Sequence, residues 1–336
     1  MTAVTKTTAK TIAEKLGLSI ATVDRALNNR GNVKKETYQR IMDMVEELGY
    51  KPNKLASVLS RKMKYKIAIV YPSFAQYFWD QVEVGLNKAI HELSDYGAEF
   101  TTLRMNEGQE SANVLLQRII DSNEYQAIAI AAGEEPLTEV INAGVAKGIT
   151  ICTFNQDSLQ SDRLFYVGVD YLQAGQLAAE LTCKFVGRSG RIAVVGKNED
   201  YQTMTKNVGF LEAAKEYSSI TCTGPYSINE FKSLIQRNGH VELDGIYVST
   251  SDIFEVAHEL KEAAHDMTIV CHDLNEEIYE YLNSNVITAT ITQEPLNQGY
   301  LALTQLFGHL AFGEDTREHQ IIKLEVVMKE NAKYYL

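Results

Sequence analysis

Two hydrophobic periods divide this chain. Over residues 1–50 apolar positions recur every three or four residues. They are Ile12, Ala13 and Leu16 in "TAKTIAEKLG", Val23, Ala26 and Leu27 in "IATVDRALN", and Ile41, Met44, Val45 and Leu48 within about Lys35–Leu48. This spacing predicts three amphipathic helices sharing a small core. Thr8 and Ser19 are placed to cap the first two, and Gly17 suits the positive φ needed to leave the first helix sharply. From residue 66 the pattern changes. Strand-like runs "KIAIVY", "AEFTTLRM", "AIAIAA", "ITICTF", "YVGVD", "RIAVVG", "GIYVST", "MTIVCHD", "ITATITQ" and "IIKLEVVMK" alternate with amphipathic stretches such as "LQAGQLAAELTCKFV" and "IFEVAHELKEAAH". Such a βαβ rhythm predicts parallel sheets covered by helices on both faces. The remaining chain, roughly 270 residues, is too long for one such core and suits two lobes. The expected fold is an all-α head followed by an α/β body of two doubly wound parallel-sheet lobes.

Charge separates the same two parts. Residues 1–66 hold 14 Lys and Arg against 6 Asp and Glu, whereas the other 270 residues hold 18 against 38. A basic head on an acidic body implies that the head alone meets a polyanion. No run of 18 apolar residues offers a membrane span. The start, "MTAVTKTTAK", lacks the apolar core of a secretory signal, so a cytoplasmic location is expected. Cys152, Cys183, Cys222 and Cys271 are far apart and mostly in apolar contexts, which fits reduced thiols better than a disulfide framework or a zinc site.

Within the head, Ala13, Gly17 and Val23 hold the spacing of a helix-turn-helix: a small residue where two helices approach, a glycine at the turn, and an aliphatic filling the angle. The start of the second helix then enters the major groove. Ile20, Ala21 and Arg25 face bases there, with Arg25 suited to a bidentate contact on a guanine edge. Thr22, Asn28, Asn29 and Arg30 are placed for phosphates, which position the protein without reading sequence. A three-helix bundle that binds protein is the alternative reading. In "YKPNKLASVLSRK", Pro52 blocks continuation of the third helix and Asn53 can cap a short one before Lys62. This gives a linker over 51–65.

The stretch "TIAEKLGLSIATVDRALNNRGNVKKETYQRIMDMVEELGYKPNKLASVL" resembles the head of the lactose-repressor (LacI) family of bacterial transcription regulators. That family carries "TVSRVLN" where this chain has "TVDRALN", then "V-S-x-x-T" and "ELGY-x-P-N". One departure is Asp24, where the family usually has Ser. Its carboxylate either shifts the groove-facing geometry or pairs with a neighbouring cation. The resemblance implies that residues 51–65 form a hinge helix that orders on DNA. Two copies would lie in the minor groove, with Asn53, Ala56 and Leu59 at the matching positions and Leu59 as the wedge.

The body is similar to type I periplasmic-binding-protein folds, from "YVGVDYLQAGQLAAEL" at the crossing between lobes through "SINEFKSLIQ", "GIYVSTSDIF", "TIVCHD" and "ITATITQEPLNQG". The first lobe is expected over about 66–168 and 296–318, and the second over about 169–295 and 319–336. Open α/β sheets bind ligands beyond the carboxyl ends of their strands. After the first strand come Ser73, Phe74, Tyr77, Phe78 and Trp79, where the family presents aromatics to a sugar. Phe78 and Trp79 equally suit a plain core. Asn155 and Gln156 stand where ribose-type members carry Asp-Arg, Lys206 where that group often has Arg, and Ser251-Asp252 where it has Asn-Asp. Asp273 and Gln293 match an Asp and a Gln of the same group. Asp252 equally suits capping of the next helix, and Asp170 a tie at the hinge. Amides and carboxylates serve vicinal hydroxyls, and an aromatic face serves C–H groups. A phosphorylated sugar held by Lys206 is the other option.

No G-x-G-x-x-G, Walker, H-E-x-x-H or G-x-S-x-G sequence occurs. The seven histidines are scattered, and even the closest, such as His258 and His265, are seven residues apart. No catalytic group, metal or cofactor is therefore expected. The sequence reads as a homodimeric transcription regulator, in sense a repressor, gripping a pseudo-palindromic operator under control of a sugar or sugar derivative. The terminal "ENAKYYL" carries no heptads, so a tetramerising coiled coil is not expected. The rivals are a solute-binding protein serving a transporter and an α/β enzyme acting on sugars or nucleotides.

Overall fold

The computed structural model describes residues 8–27, 31, 33–48, 50, 64–105, 110–131, 137–197, 200–237, 243–263 and 267–336. They form two compact units, a helical head and an α/β body.

The head contains α1 (Ala9–Leu16), α2 (Ile20–Leu27) and α3 (Lys35–Glu47). Thr8 caps α1 reciprocally with Thr11, satisfying amides that have no partner within the first turn. Gly17 ends α1 at φ 65°, and Leu18 N then donates to Ala13 O. The space beside Gly17 is open. Glycine is therefore required there by backbone conformation rather than by crowding. Ser19 Oγ accepts from Thr22 N at 3.1 Å and starts α2. Ile12, Ala13, Val23, Ala26 and Ile41 are the buried centre, enclosed by Leu16, Leu27, Met44, Val45 and Leu48 among others.

The body begins with β1 (Tyr65–Pro72), α4 (Gln76–Ser94), β2 (Ala98–Met105), α5 (Ala112–Asp121), β3 (Ala127–Ile130), α6 (Thr138–Ala146), β4 (Thr150–Phe154) and β5 (Tyr166–Gly168). The chain then crosses into α7 (Tyr171–Val186), β6 (Gly190–Val195), α8 (Tyr201–Ala214), β7 (Ile220–Tyr226), α9 (Ile228–Arg237), β8 (Gly245–Val248), α10 (Ile253–Ala263), β9 (Thr268–His272), α11 (Glu276–Asn283) and β10 (Ala289–Thr292). It ends with α12 (Pro295–Phe312), β11 (His319–Ile321), β12 (Glu325–Val327) and α13 (Lys329–Ala332). The first sheet has the order β11-β5-β4-β3-β1-β2 and the second β12-β10-β9-β8-β6-β7. The pairings β1–β3, β3–β4, β4–β5 and β5–β11 are parallel, as are β6–β7, β6–β8, β8–β9 and β9–β10, while β12 runs antiparallel to β10.

Buried strands such as "AIAI" in β3 and "GIYV" in β8 are apolar on both faces, as sheets covered by helices on both sides require. The final crossing differs from the sequence expectation. Ile321 pairs with Gly168 in the first sheet, and Val327 with Thr290 in the second. The chain thus changes lobe between residues 321 and 325, not after 318. Cys152, Cys183 and Cys271 are buried free thiols, and Cys222 is a half-buried one. No helix among the described residues is long and apolar enough to cross a membrane.

Helices α7 and α8 pack backbone to backbone. A Cβ on Gly175 would lie 1.9 Å from Lys206 O, and one on Gly209 would lie 2.2 Å from Leu172 O. This contact fixes the helix that carries Lys206. Gly175→Ala is expected to push the pair apart and cost about 1–3 kcal/mol. The cost is read as a lower urea midpoint, and an unchanged midpoint would exclude so close a contact.

Candidate functional site

The residues expected to face the groove are exposed on the head. Ile20 is 51% exposed, and Ala21 and Arg25 are also exposed, on the side of α2 opposite the buried Val23 and Ala26. The Thr22 hydroxyl is engaged with Ser19 Oγ at 2.8 Å, so it serves the cap as well as any phosphate. Asp24 is half-buried. Asn28, Asn29, Arg30, Asn53, Ala56 and Leu59 lie outside the described residues.

In the body, the carboxyl ends of the two sheets bring together Tyr77, Asn155, Gln156, Lys206, Asp273 and Gln293. Asn155 and Asp273 follow β4 and β9 with φ of 58° and 66°, a left-handed turn that Asn and Asp tolerate best among residues with a Cβ. Asn155 is held from several sides. Its Nδ2 donates to Gln298 Oε1 at 3.2 Å, and its Oδ1 accepts from Gln202 Nε2 at 3.0 Å. Its carbonyl accepts the hydroxyls of Tyr166 and Tyr171 at 2.8 and 2.7 Å. Asp273 Oδ1 accepts from Gln293 Nε2 at 2.8 Å, and Gln293 O accepts from Gln298 Nε2 at 2.8 Å. One amide chain therefore links the end of the first sheet to the end of the second.

The electrostatics are those of a desolvated site. Burial raises the Asp273 carboxyl above the usual range, against the opposing pull of Gln293 and then Lys206. Burial lowers the Lys206 ammonium, partly offset by Asp273 and Asp200. Its Nζ donates to Ser249 O. His272 is buried, 2.8 Å from the Tyr247 hydroxyl, and both burial and Lys206 hold it neutral. The Tyr77 phenol is raised by burial and then by Asp273, so a first-lobe residue lies within electrostatic reach of a second-lobe carboxylate. Its ring meets Phe254 edge-on at 5.5 Å. Among the described residues, Gln156 Oε1, Asn207 Oδ1 and Gln293 Oε1 are buried without a hydrogen-bond donor, an arrangement that costs on the order of 1–3 kcal/mol each. A ligand supplying O–H or N–H groups would relieve it.

Several expected contacts are placed elsewhere. Phe78 and Trp79 are buried, 7% and 4% exposed. Trp79 packs against Tyr71, Phe78 and Phe154, and its indole N–H donates to Phe74 O at 2.8 Å. Both are core residues, not a stacking platform for solute. Phe74 remains 63% exposed and Tyr77 half-buried. Ser73 donates its hydroxyl to Met105 O at 3.0 Å, tying β1 to β2. Asp252 accepts from Thr250 Oγ1 at 2.9 Å, which commits it to the turn before α10, and Ser251 is half-buried beside it. Asp170 caps α7 through Gln173 N. Gln202, Gln298, His272 and the tyrosines 166 and 171 were not anticipated. An isolated amide inside a helical pattern carries no spacing signal. No cluster of three or more His, Cys, Asp or Glu suited to a metal exists among the described residues.

Comparison with known proteins agrees with this geometry. Residues 67–315 match the periplasmic binding protein domain family, and residues 8–53 match the bacterial regulatory proteins of the lacI family. The HTH-type transcriptional regulator RegA of Clostridium saccharobutylicum is 27% identical over 155 residues, 46% of each chain. The chain thus spans under half of that relative's length. Catabolite control protein A of Staphylococcus aureus is 22% identical over 257 residues, 74% of this chain and 75% of that one. Among solved structures, GanP, a glucose-galactose binding protein from Geobacillus stearothermophilus, superposes with a TM-score of 0.70 at 21% identity, over 80% of this chain and 99% of that one. The body shares that fold. Through its body the chain belongs to the periplasmic binding protein domain family, and its head matches the bacterial regulatory proteins of the lacI family.

Proposed function

We propose that this regulator is a cytoplasmic homodimeric repressor whose grip on a pseudo-palindromic operator is set by a neutral polyol, a sugar or sugar derivative, held between the lobes. The observation that carries the ligand class is the set of buried amide oxygens without a donor, Gln156 Oε1 after β4, Asn207 Oδ1 in α8 and Gln293 Oε1 after β10, the last on the side chain that donates to the Asp273 carboxylate. All are acceptors, and vicinal hydroxyls are their natural donors. A sugar phosphate fits less well. The one cation at the site among the residues described above, Lys206, is buried and already donates to Ser249 O, and Asp273 opposes a second anion. GanP, the glucose-galactose binding protein whose fold the body shares, supports the same class.

Because the chain passes between the lobes ahead of α7, ahead of α12 and between β11 and β12, ligand bound to both sheet ends favours one lobe orientation. In a dimer that sets the separation of the paired heads. The coupling required is on the order of 1–3 kcal/mol. The test is selection from a random duplex pool at two salt concentrations, with and without glucose, galactose, arabinose, ribose and their phosphates, and with sedimentation to give the assembly state. An inverted repeat with a steep salt slope is expected, its affinity shifted about 5- to 150-fold by a neutral sugar. A monomer, a single unrepeated site, or a response to phosphates alone would reject this reading.

A further inference from the structure

The cavity lined by Asp273 and Gln293 does not end on them. It occupies about 530 Å³, and although Thr292, Glu294, Asn297 and Glu325 also border it, most of its wall is apolar, with Val84, Leu274, Leu296 and Tyr335 on it. Val84, Leu296 and Tyr335 are 56%, 38% and 40% exposed. Single exposed apolar residues are ordinary on any surface, but these three converge on one hollow that is continuous with a polar anchor. Gln81 also lines this wall, and its side-chain amide is committed to Leu274 O at 2.9 Å. At the rim, Lys323 Nζ lies 3.1 Å from Glu294 and 2.6 Å from Glu325. Two carboxylates share one cation there, so an anionic group is disfavoured.

We infer that this extension holds an uncharged apolar substituent of the effector. The ligand is then an amphipathic polyol, a glycoside with an aryl or alkyl aglycone, rather than a free sugar. The inference rests on the polyol reading of the cleft and adds the chemistry of the other end of the molecule. The volume lies within the range of small-molecule pockets and accommodates a sugar ring with an aromatic ring beside it. The position also bears on control. Val84 belongs to α4 in the first lobe, Leu274 to the second, and Leu296 to the first turn of α12, where the chain crosses. A substituent packed here touches both lobes beside the Gln81–Leu274 hydrogen bond that spans them, so its size influences the lobe orientation that its sugar alone would leave less constrained.

The test is calorimetric titration of the full-length protein with free glucose, galactose, arabinose and ribose, and with their methyl and phenyl glycosides in both anomers. At least one phenyl glycoside is expected to bind about tenfold more tightly than the methyl glycoside of the same sugar and anomer, about 1.4 kcal/mol. In the double variant Val84→Ser, Leu296→Ser, the ratio of the two affinities is expected to fall to about one. Both side chains are partly exposed, and an unaltered melting temperature verifies the fold of that variant. If sugars or methyl glycosides bind but no phenyl glycoside gains, or if the gain survives in the double variant, the apolar subsite is wrong while the polyol cleft stands. If no compound of the panel binds, the polyol reading itself fails and the subsite falls with it.

Discussion

Asp273→Asn is expected to give a protein that is more heat-stable when empty and largely deaf to its effector. The substitution keeps an oxygen to accept from Gln293 Nε2 and removes a charge from a desolvated position. Burial raises the Asp273 carboxyl above its ordinary range, so the folded state holds this proton more tightly than the unfolded chain does. The sign follows from linkage. At a pH below the unfolded value, near 3.9, both states are protonated and the group is neutral to stability. As pH rises through the unfolded value and on to the raised folded value, the folded state loses stability relative to the unfolded one, and the loss then levels off. The Asn variant lacks that decline. Its advantage in melting temperature should therefore grow from pH 4 upward and level off once the pH passes the raised folded value. Effector binding behaves oppositely. A hydroxyl donating to an ionised carboxylate contributes about 1.5–3 kcal/mol, so the variant should bind roughly 10- to 100-fold more weakly. Melting curves over pH 4–8, with and without a saturating sugar, measure both effects. An Asn variant that melts lower at pH 7 yet keeps its ligand-induced shift would show that Asp273 is structural and outside the binding site.

Gln293 and Asp273 were legible in the sequence because each directly follows an apolar run, "ITATIT" and "TIVCH", where a polar residue must leave the sheet. The head was legible for a related reason. Helix positions 12, 13, 23, 26 and 41 repeat with the helical period, and the third helix ends at Glu47, one residue from the expected end. The failures share a cause as well. "IIKLEVVMK" reads as one strand, yet Ile321 completes the first sheet while Val326 and Val327 pair in the second. Hydrophobic periodicity records that a residue is paired, not which sheet it joins, and the lobe boundary shifted accordingly. Tyr77, Phe78 and Trp79 are consecutive in a helix, and each step turns the side chain by about 100°. One stretch of three aromatics cannot face one cleft, and Phe78 and Trp79 turn into the core. Gln202 and Gln298 left no trace in the pattern because an amide is compatible with either side of a helix. Only the fold shows that both reach Asn155.

Arg25→Ala is the substitution expected to alter the DNA reading most. Arg25 is exposed on α2, two residues beyond the buried Val23 and beside the buried Ala26, so the three-helix core of Ile12, Val23 and Ile41 does not depend on it. Removing it should leave the stability of the head within about 0.5 kcal/mol. What changes is discrimination. A guanidinium bidentate on a guanine edge contributes about 1–3 kcal/mol against a wrong base, roughly 5- to 150-fold at one position of each half-site. A phosphate contact behaves differently, because its loss weakens all sequences about equally and lowers the salt slope by about one unit. The two roles therefore separate in a single data set, from binding of every single-base variant of the selected site at two salt concentrations. The expected pattern is relaxed preference at one symmetric pair of positions with the salt slope nearly kept. A uniform loss with a shallower slope would place Arg25 on the backbone and turn α2 relative to the groove, leaving Ile20 and Ala21, also exposed at the start of that helix, as the residues nearest the bases.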